Sequence, residues 1–219
     1  MGTLLDLLFP PLCIGCRRRR REKLGLCPDC LALIEETGLS GCIRCGRHCL
    51  PGKCAPLDHG YSRVLSLAIY RGPWRLVVQN VKFGQDRTVA KELARELAAL
   101  ALAADFIPPD AVVPVPGAGK SWRDFDIIAM ICRELAMTAG APVRKVLLRR
   151  PGRPPQVELN FKGRLEGLED YIYIEEGTEI GGIVWLVDDV YTTGATADAC
   201  AKALLEAGVG SVYLFILAA

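Results

Sequence analysis

Eight of the ten cysteines in this 219-residue chain fall between Cys13 and Cys54, and they decide how its first quarter can fold. Residues 1–57 are short segments broken by Cys, Gly and Pro, with no long amphipathic period. Such a stretch cannot bury enough apolar surface to stay folded without a staple. The opening "LLDLLFPPLC" lacks the basic flank and long apolar region of an export signal. A cytoplasmic, reducing setting is therefore expected, in which clustered thiols serve as metal ligands rather than disulfides. Cys13-x-x-Cys16, ten residues, then Cys27-Pro-Asp-Cys30 is a pair of thiolate knuckles spaced to close one tetrahedral zinc site. Cys42, Cys45, Cys49 and Cys54 form a looser second set, because its second half lacks the two-residue gap. His48 and His59 are alternative ligands there or plain loop residues, and interleaved pairing of the two sets is a further option.

Charge is unevenly spread. Residues 1–60 hold nine Lys/Arg against six Asp/Glu, about +3, while the whole chain is +2, which leaves the remainder near −1. Arg17, Arg18, Arg19, Arg20 and Arg21 form an uninterrupted run between the first two knuckles. Presented on a zinc loop, five guanidiniums would neutralise phosphates and give salt-dependent, sequence-independent binding of single-stranded DNA; the alternative is a solvated charge run. No apolar stretch reaches the roughly 20 residues that cross a bilayer, so no transmembrane segment is expected. The "LLDLLFPP" segment is expected to dock on the larger domain, with a membrane surface as the alternative.

From Tyr61 onward the texture changes. "SRVLSLAIY" alternates as a strand, "GPWRLVVQNVKFG" reads as a helix opened by Pro73, and "TVAKELARELAALALAADF" as a helix capped by Thr88. "DAVVPVP" reads as a buried strand, "SWRDFDIIAMICRELAMTAG" as a helix stopped by Gly140, and "VRKVLLRR" as another strand. A long loop follows from Pro151 to Glu169, then a continuous apolar strand "GGIVWLVDD", a helix "GATADACAKALLEAG" and a last buried strand "SVYLFILA". Strand alternating with helix implies a parallel α/β sheet covered on both faces. The expected division is a Cys-rich zinc-binding arm, 1–57, and an α/β domain, 58–219, whose core does not depend on the arm.

In an open parallel sheet, ligands bind beyond the carboxyl ends of the strands, which is where Asp188 and Asp189 fall. The turn that follows, Thr192, Thr193, Gly194, Ala195 and Thr196, supplies backbone amides and hydroxyls at a helix N-terminus, a setting suited to an anion. Carboxylates accept hydrogen bonds from sugar hydroxyls, and amides and hydroxyls donate to phosphate. A ligand that offers vicinal hydroxyls on one side and a phosphate on the other is a ribose 5-phosphate.

Asp-Asp followed by Thr-Thr-Gly-x-Thr resembles the phosphoribosyl pyrophosphate signature of type I phosphoribosyltransferases. More narrowly, "FPPLCIGC", "LCPDCL", "CIRCG", "YRGPWRLVVQNVKFG", "VVPVP", "RPPQ" and "LVDDVYTTGAT" stand in the order found in the competence-protein ComF family. The resemblance implies a zinc-finger arm on a phosphoribosyltransferase-like, Rossmann-like domain, and a role in natural transformation, the uptake of DNA as a single strand. It also implies phosphoribosyl pyrophosphate with magnesium as ligand, other competence proteins as partners, and a cytoplasmic location peripheral to the inner membrane. By the same resemblance Pro116, Gly117, Ala118, Gly119 and Lys120, with Arg123, take the place of the loop that receives the pyrophosphate. If the chain is a transferase, Asp188, Asp189 and Lys120 are the catalytic set, displacing pyrophosphate from the ribose anomeric carbon. Gly119-Lys120-Ser121 is not a nucleotide P-loop, which needs Gly where Pro114 stands. Two departures from the family weaken turnover more than binding. Arg123-Asp124-Phe125-Asp126-Ile127 stands where Arg-Gly-Phe-Asn-Gln is expected, and the loop after "RPPQ" keeps only Lys162 and Arg164 as cations. Two readings stay open: a phosphoribosyl pyrophosphate-dependent enzyme, and a non-catalytic module that senses a ribose phosphate or grips single-stranded DNA.

Overall fold

A computed structural model describes residues 11–18, 21–36, 60–84, 86–117, 126–150, 171–191 and 193–219. Four parallel strands form the main sheet: β1 (Arg63–Ala68), β2 (Ala111–Pro114), β5 (Ile183–Val190) and β6 (Ser211–Ala218), in the order β1-β6-β5-β2. The two central strands are the two longest apolar runs, as burial on both faces requires. Their side chains alternate between two cores. Trp185, Val187, Tyr213, Phe215 and Leu217 face α2 (Gly72–Gly84), α3 (Arg87–Ala103) and α4 (Ile127–Ala139). Val184, Leu186, Val212, Leu214 and Ile216 face α5 (Ala195–Glu206). The Trp185 and Phe215 rings lie 4.4 Å apart, and the Trp185 indole N–H donates to the Ile107 carbonyl at 3.1 Å.

β2 is an edge strand. The Val115 N–H, just past its end, donates to the Val187 carbonyl at 2.9 Å. On the opposite side the Val112 N–H donates to the Pro142 carbonyl, and the Arg144 N–H donates to the Val112 carbonyl, both at 2.9 Å.

Two expectations are corrected. The segment "VRKVLLRR" does contain a strand, β3 (Leu147–Arg149), but it pairs antiparallel with β4 (Ile172–Ile174) in a separate two-stranded sheet. α3 is capped by Asp86 rather than Thr88: the Asp86 carboxylate accepts from the Val89 N–H at 3.2 Å, satisfying an end donor that Thr88, already inside the helix, cannot reach. Asp126 caps α4 in the same way, and Gly140 ends it at φ +67°.

The first knuckle packs directly on α3. It contains a short 3-10 turn, Lys23–Gly25, and α1 (Pro28–Glu36). The Leu24 N–H donates to Glu92 Oε2 at 2.6 Å, Lys23 Nζ lies 2.8 Å from Glu96 Oε1, and Arg21 pairs with Asp86. Gly25 sits at φ +72°, where a Cβ would stand only 2.9 Å from a Val89 methyl. Cys13, Leu24, Leu26, Cys27 and Cys30 belong to the same apolar cluster as Val89, Leu93 and Phe215. The knuckle and the α/β core thus share one interior, in place of the independence expected of them. No helix among the described residues is long and apolar enough to cross a membrane.

Candidate functional site

The sulfurs of Cys13, Cys16, Cys27 and Cys30 all lie within 4.8 Å of one another. Cys16 and Cys27 are 3.8 Å apart, the edge of a tetrahedron whose metal–sulfur bonds are about 2.3 Å. Burial alone would push the Cys13 thiol up, but backbone amides of Cys16, Cys27 and Gly15 hold it down to about 6. Cys30 goes the other way, to about 12, through burial and then hydrogen bonding with Cys13, Cys27 and Cys16. Packing is tight enough that a Cβ on Gly15 would stand 3.1 Å from the Cys30 sulfur. Four soft sulfur donors brought this close together are a donor set that suits zinc. Cys42, Cys45, Cys49, Cys54, His48 and His59 lie outside the described residues. Of the arginine run, Arg17 and Arg18 are exposed and Arg21 is engaged by Asp86, while Arg19 and Arg20 lie outside the described residues.

On the main sheet, Asp188 and Asp189 lie near the C-terminal end of β5 itself rather than in a loop beyond it. The Asp189 N–H donates to Asp188 Oδ1 at 2.8 Å, and Asp189 Oδ2 lies 2.7 Å from Lys82 Nζ in the last turn of α2. Sequence reasoning missed Lys82. Its only signal was a cation in the last turn of an amphipathic helix, "NVKFG", and nothing local says what that cation faces.

Gly194, at φ +80°, turns the chain into α5, with Thr193 Oγ1 accepting from the Ala195 N–H at 3.4 Å. Asp188, Thr193, Gly194, Ala195 and Thr196 line one shallow cleft. Tyr191 backs it: its ring lies against Gly194, and its hydroxyl is hydrogen-bonded to that of Tyr61 at 2.8 Å. Pro116 and Gly117 follow β2 beside the end of β5, and a Cβ on Gly117 would meet nothing within 4 Å. Thr192, Ala118, Gly119, Lys120, Arg123, Lys162 and Arg164 lie outside the described residues.

Burial, and then the charge of Asp189, push the Asp188 carboxyl up from 3.8 to about 7. A raised acid of this kind contributes stability in full below pH 3.8 and loses it as pH rises through 7. Asp188→Asn is therefore expected to melt a few degrees above the wild type at pH 8, and the gain should shrink steadily toward pH 4. Melting curves of both proteins across that range check this; a gain independent of pH would remove Asp188 as its source. The same chemistry bears on the magnesium implied by the resemblance. With Asp189 Oδ2 taken by Lys82 and Asp188 held toward its neutral form, this acidic pair does not suit a protein-bound divalent ion, which wants ionised oxygens.

Comparison with known proteins bears on both parts of the chain. Residues 4–61 match the double zinc ribbon domain family. The DNA utilization protein YhgH of Salmonella typhi is 30% identical over 214 residues, covering 94% of this chain and 89% of the relative. Competence protein F of Haemophilus influenzae is 26% identical, covering 94% of this chain and 96% of its own length. Among solved structures, adenine phosphoribosyltransferase from Saccharomyces cerevisiae matches 61% of this chain and 72% of its own, with a TM-score of 0.38 and 17% identity. Near-complete coverage by such relatives, with a double zinc ribbon match over the first part of the chain, shows that the chain belongs to the ComF family of competence proteins.

Proposed function

We propose that the chain binds a ribose 5-phosphate ligand in the cleft at the end of β5 and serves the handling of incoming single-stranded DNA in the cytoplasm. One observation supports the first half: the Asp188 carboxylate, with Asp189 next to it in β5, and the N-terminus of α5 line a single cleft, opened by a glycine at φ +80°. Asp188 and Asp189 accept hydrogen bonds from the ribose hydroxyls. The amides and hydroxyls from Thr192 to Thr196 hold the 5-phosphate, aided by the positive end of the helix dipole. Phosphoribosyl pyrophosphate is the ligand that family membership suggests. Magnesium would arrive with its pyrophosphate and supply charge neutralisation there, with Pro116 to Lys120 and Arg123 around it. The names of the relatives, a DNA utilization protein and a competence protein, support the second half. On the arm, exposed Arg17 and Arg18 sit beside the cysteine cluster, where they can meet a phosphate backbone. Protein partners would then be other competence proteins at the inner membrane.

Calorimetry with phosphoribosyl pyrophosphate and magnesium tests the cleft. Asp189→Asn should weaken ribose recognition and Thr193→Val the phosphate grip, each by the roughly 1.5–3 kcal/mol of a charge-assisted hydrogen bond, about tenfold to a hundredfold in affinity. Unchanged affinity in both variants, or no binding by folded wild type at millimolar ligand, rejects the reading. The same preparation titrated with single-stranded DNA at low and moderate salt tests the arm, where binding insensitive to salt would count against it.

A further inference from the structure

The two-stranded sheet of β3 and β4 turns one face inward and the other outward. Leu147 stands opposite Ile174, Leu148 opposite Tyr173 and Arg149 opposite Ile172, and the Arg150 N–H donates to the Tyr171 carbonyl at 2.9 Å. Leu147 and Ile172 are buried in the cluster that holds Cys200, Ala201 and Leu204 of α5. Alternation along the strands therefore sends Leu148, Arg150, Tyr171 and Tyr173 to the other face. There the Arg150 guanidinium carbon lies 5.1 Å from the centre of the Tyr173 ring, and that of Arg149 reaches the Tyr171 ring at 5.7 Å. Among the described residues neither arginine pairs with a carboxylate. Glu175 and Glu176 follow the far end of β4, beside the start of β3. The Tyr171 hydroxyl is buried without a hydrogen-bond partner, so what that residue offers a ligand is its ring. An exposed cation–ring contact stabilises a fold only weakly, and two of them side by side are more than a ribbon anchored by Leu147 and Ile172 needs.

Guanidiniums without counter-charge, lying on rings, are a surface that an unpaired nucleotide fits. A base stacks on an aromatic face or on a guanidinium plane, and the same cation meets the neighbouring phosphate. Duplex DNA keeps its bases stacked within itself, so it can use the charge but not the rings. We propose that the β3–β4 ribbon is a stacking platform for unpaired bases, and that it makes the chain prefer single-stranded DNA to duplex. This rests on the reading of the chain as a handler of single-stranded DNA and adds the surface that recognises the strand as single. The ribbon packs on α5, whereas the first knuckle packs on the opposite face of the main sheet, so the ribbon and the Arg17–Arg18 pair are separate contacts.

The test is fluorescence anisotropy of a labelled oligothymidylate of about twelve nucleotides, and of a blunt duplex of the same length, titrated with the full zinc-loaded chain at several salt concentrations. Wild type should bind the oligothymidylate about tenfold more tightly than the duplex. Tyr171→Leu combined with Tyr173→Leu should lose about tenfold for the oligothymidylate alone, with the salt slope kept, because stacking releases no counterions. Tyr171→Phe combined with Tyr173→Phe keeps both rings and should bind like wild type. Arg17→Ser combined with Arg18→Ser should instead weaken both probes and flatten the salt slope by about 1–1.5. If the leucine variant lacks a cooperative melt, the exposed Arg150 decides: Arg150→Gln should cost the oligothymidylate about fivefold and the duplex less than about twofold, and an equal loss for both probes, or none, overturns the proposal. Equal wild-type affinity for the two probes overturns this inference alone, as does a folded leucine variant that binds the oligothymidylate like wild type or loses both probes alike. Wild type that binds neither probe removes the DNA reading of the arm as well.

Discussion

Cys13→Ser is expected to abolish zinc at the first knuckle and to lower the melting temperature of the entire chain by about 10 °C or more. Cys13 is wholly buried, and its sulfur accepts from the N–H groups of Cys16 at 3.5 Å and Cys27 at 3.3 Å. Two backbone amides thus fix the Cys13 sulfur in place as a donor. A structural zinc contributes on the order of 10 kcal/mol to the fold that makes its site. In a freely hanging arm that loss would stay local. Here the knuckle's Leu24 and Leu26 are packed into the cluster that covers one face of the sheet, and three polar contacts tie it to the first turns of α3. Several kcal/mol should therefore be felt in the α/β domain, at about 2–4 °C per kcal/mol for a chain of this size. Metal analysis with calorimetric melting checks both parts. Cys132→Ala, which removes a buried thiol on α4, should leave zinc content unchanged. A variant that loses zinc yet melts like wild type would show that the shared interior carries no energetic coupling.

Gly194→Ala should cost about 3 kcal/mol and remove measurable ribose 5-phosphate binding. Two costs add at this position. The backbone is left-handed, φ +80°, which a non-glycine residue adopts at about 1–2 kcal/mol. A Cβ would also stand 2.6 Å from Tyr191 Cζ, and overpacking costs about 1–3 kcal/mol. The ring cannot simply swing away, because its hydroxyl is bonded to that of Tyr61 at 2.8 Å in the interior. Relief must come from the turn itself, whose amides and hydroxyls are those assigned to the phosphate. Gly140→Ala separates the two costs: its φ is +67° but a Cβ there meets nothing within 4 Å, so only about 1–2 kcal/mol is expected. Denaturant melts of the two variants, with calorimetry, decide it. Equal losses at both positions would mean that the Tyr191 contact is soft.

Much of the architecture was legible because the signals were local. "IVWLV" and "SVYLFIL" are too continuously apolar to be anything but strands covered on both sides, and Gly140 stops α4 where the sequence stops it. The knuckle spacing likewise placed four cysteines that the structure brings together. What escaped depends on contacts across the chain. Thr88 and Asp86 are both competent caps by type, and the choice is fixed by geometry together with Arg21, 65 residues away. Arg21 in turn looked like one of five equivalent arginines until α3 supplied it with a carboxylate. β3 and β4 needed each other, and β4, "IYI", is too short to announce itself. Lys82 is the sharpest case, since its partner lies more than a hundred residues downstream and only the sheet order brings them together.

The outer margin of β2 has a consequence for how partners can approach this end of the molecule. With the Val115 N–H turned inward to β5, the alternation of a strand turns the backbone nitrogens of residues 112, 114 and 116 outward. The first is already donated to the Pro142 carbonyl, and the other two belong to prolines, which have nothing to donate. The row of unsatisfied amides that usually invites a foreign strand to add itself to a sheet is therefore missing here. Strand addition is closed off beside the cleft, so neither self-association edge to edge nor docking of an extended peptide by backbone ladder is available at this margin. Whatever meets the protein there must be recognised by side chains and by the shape of the cleft mouth.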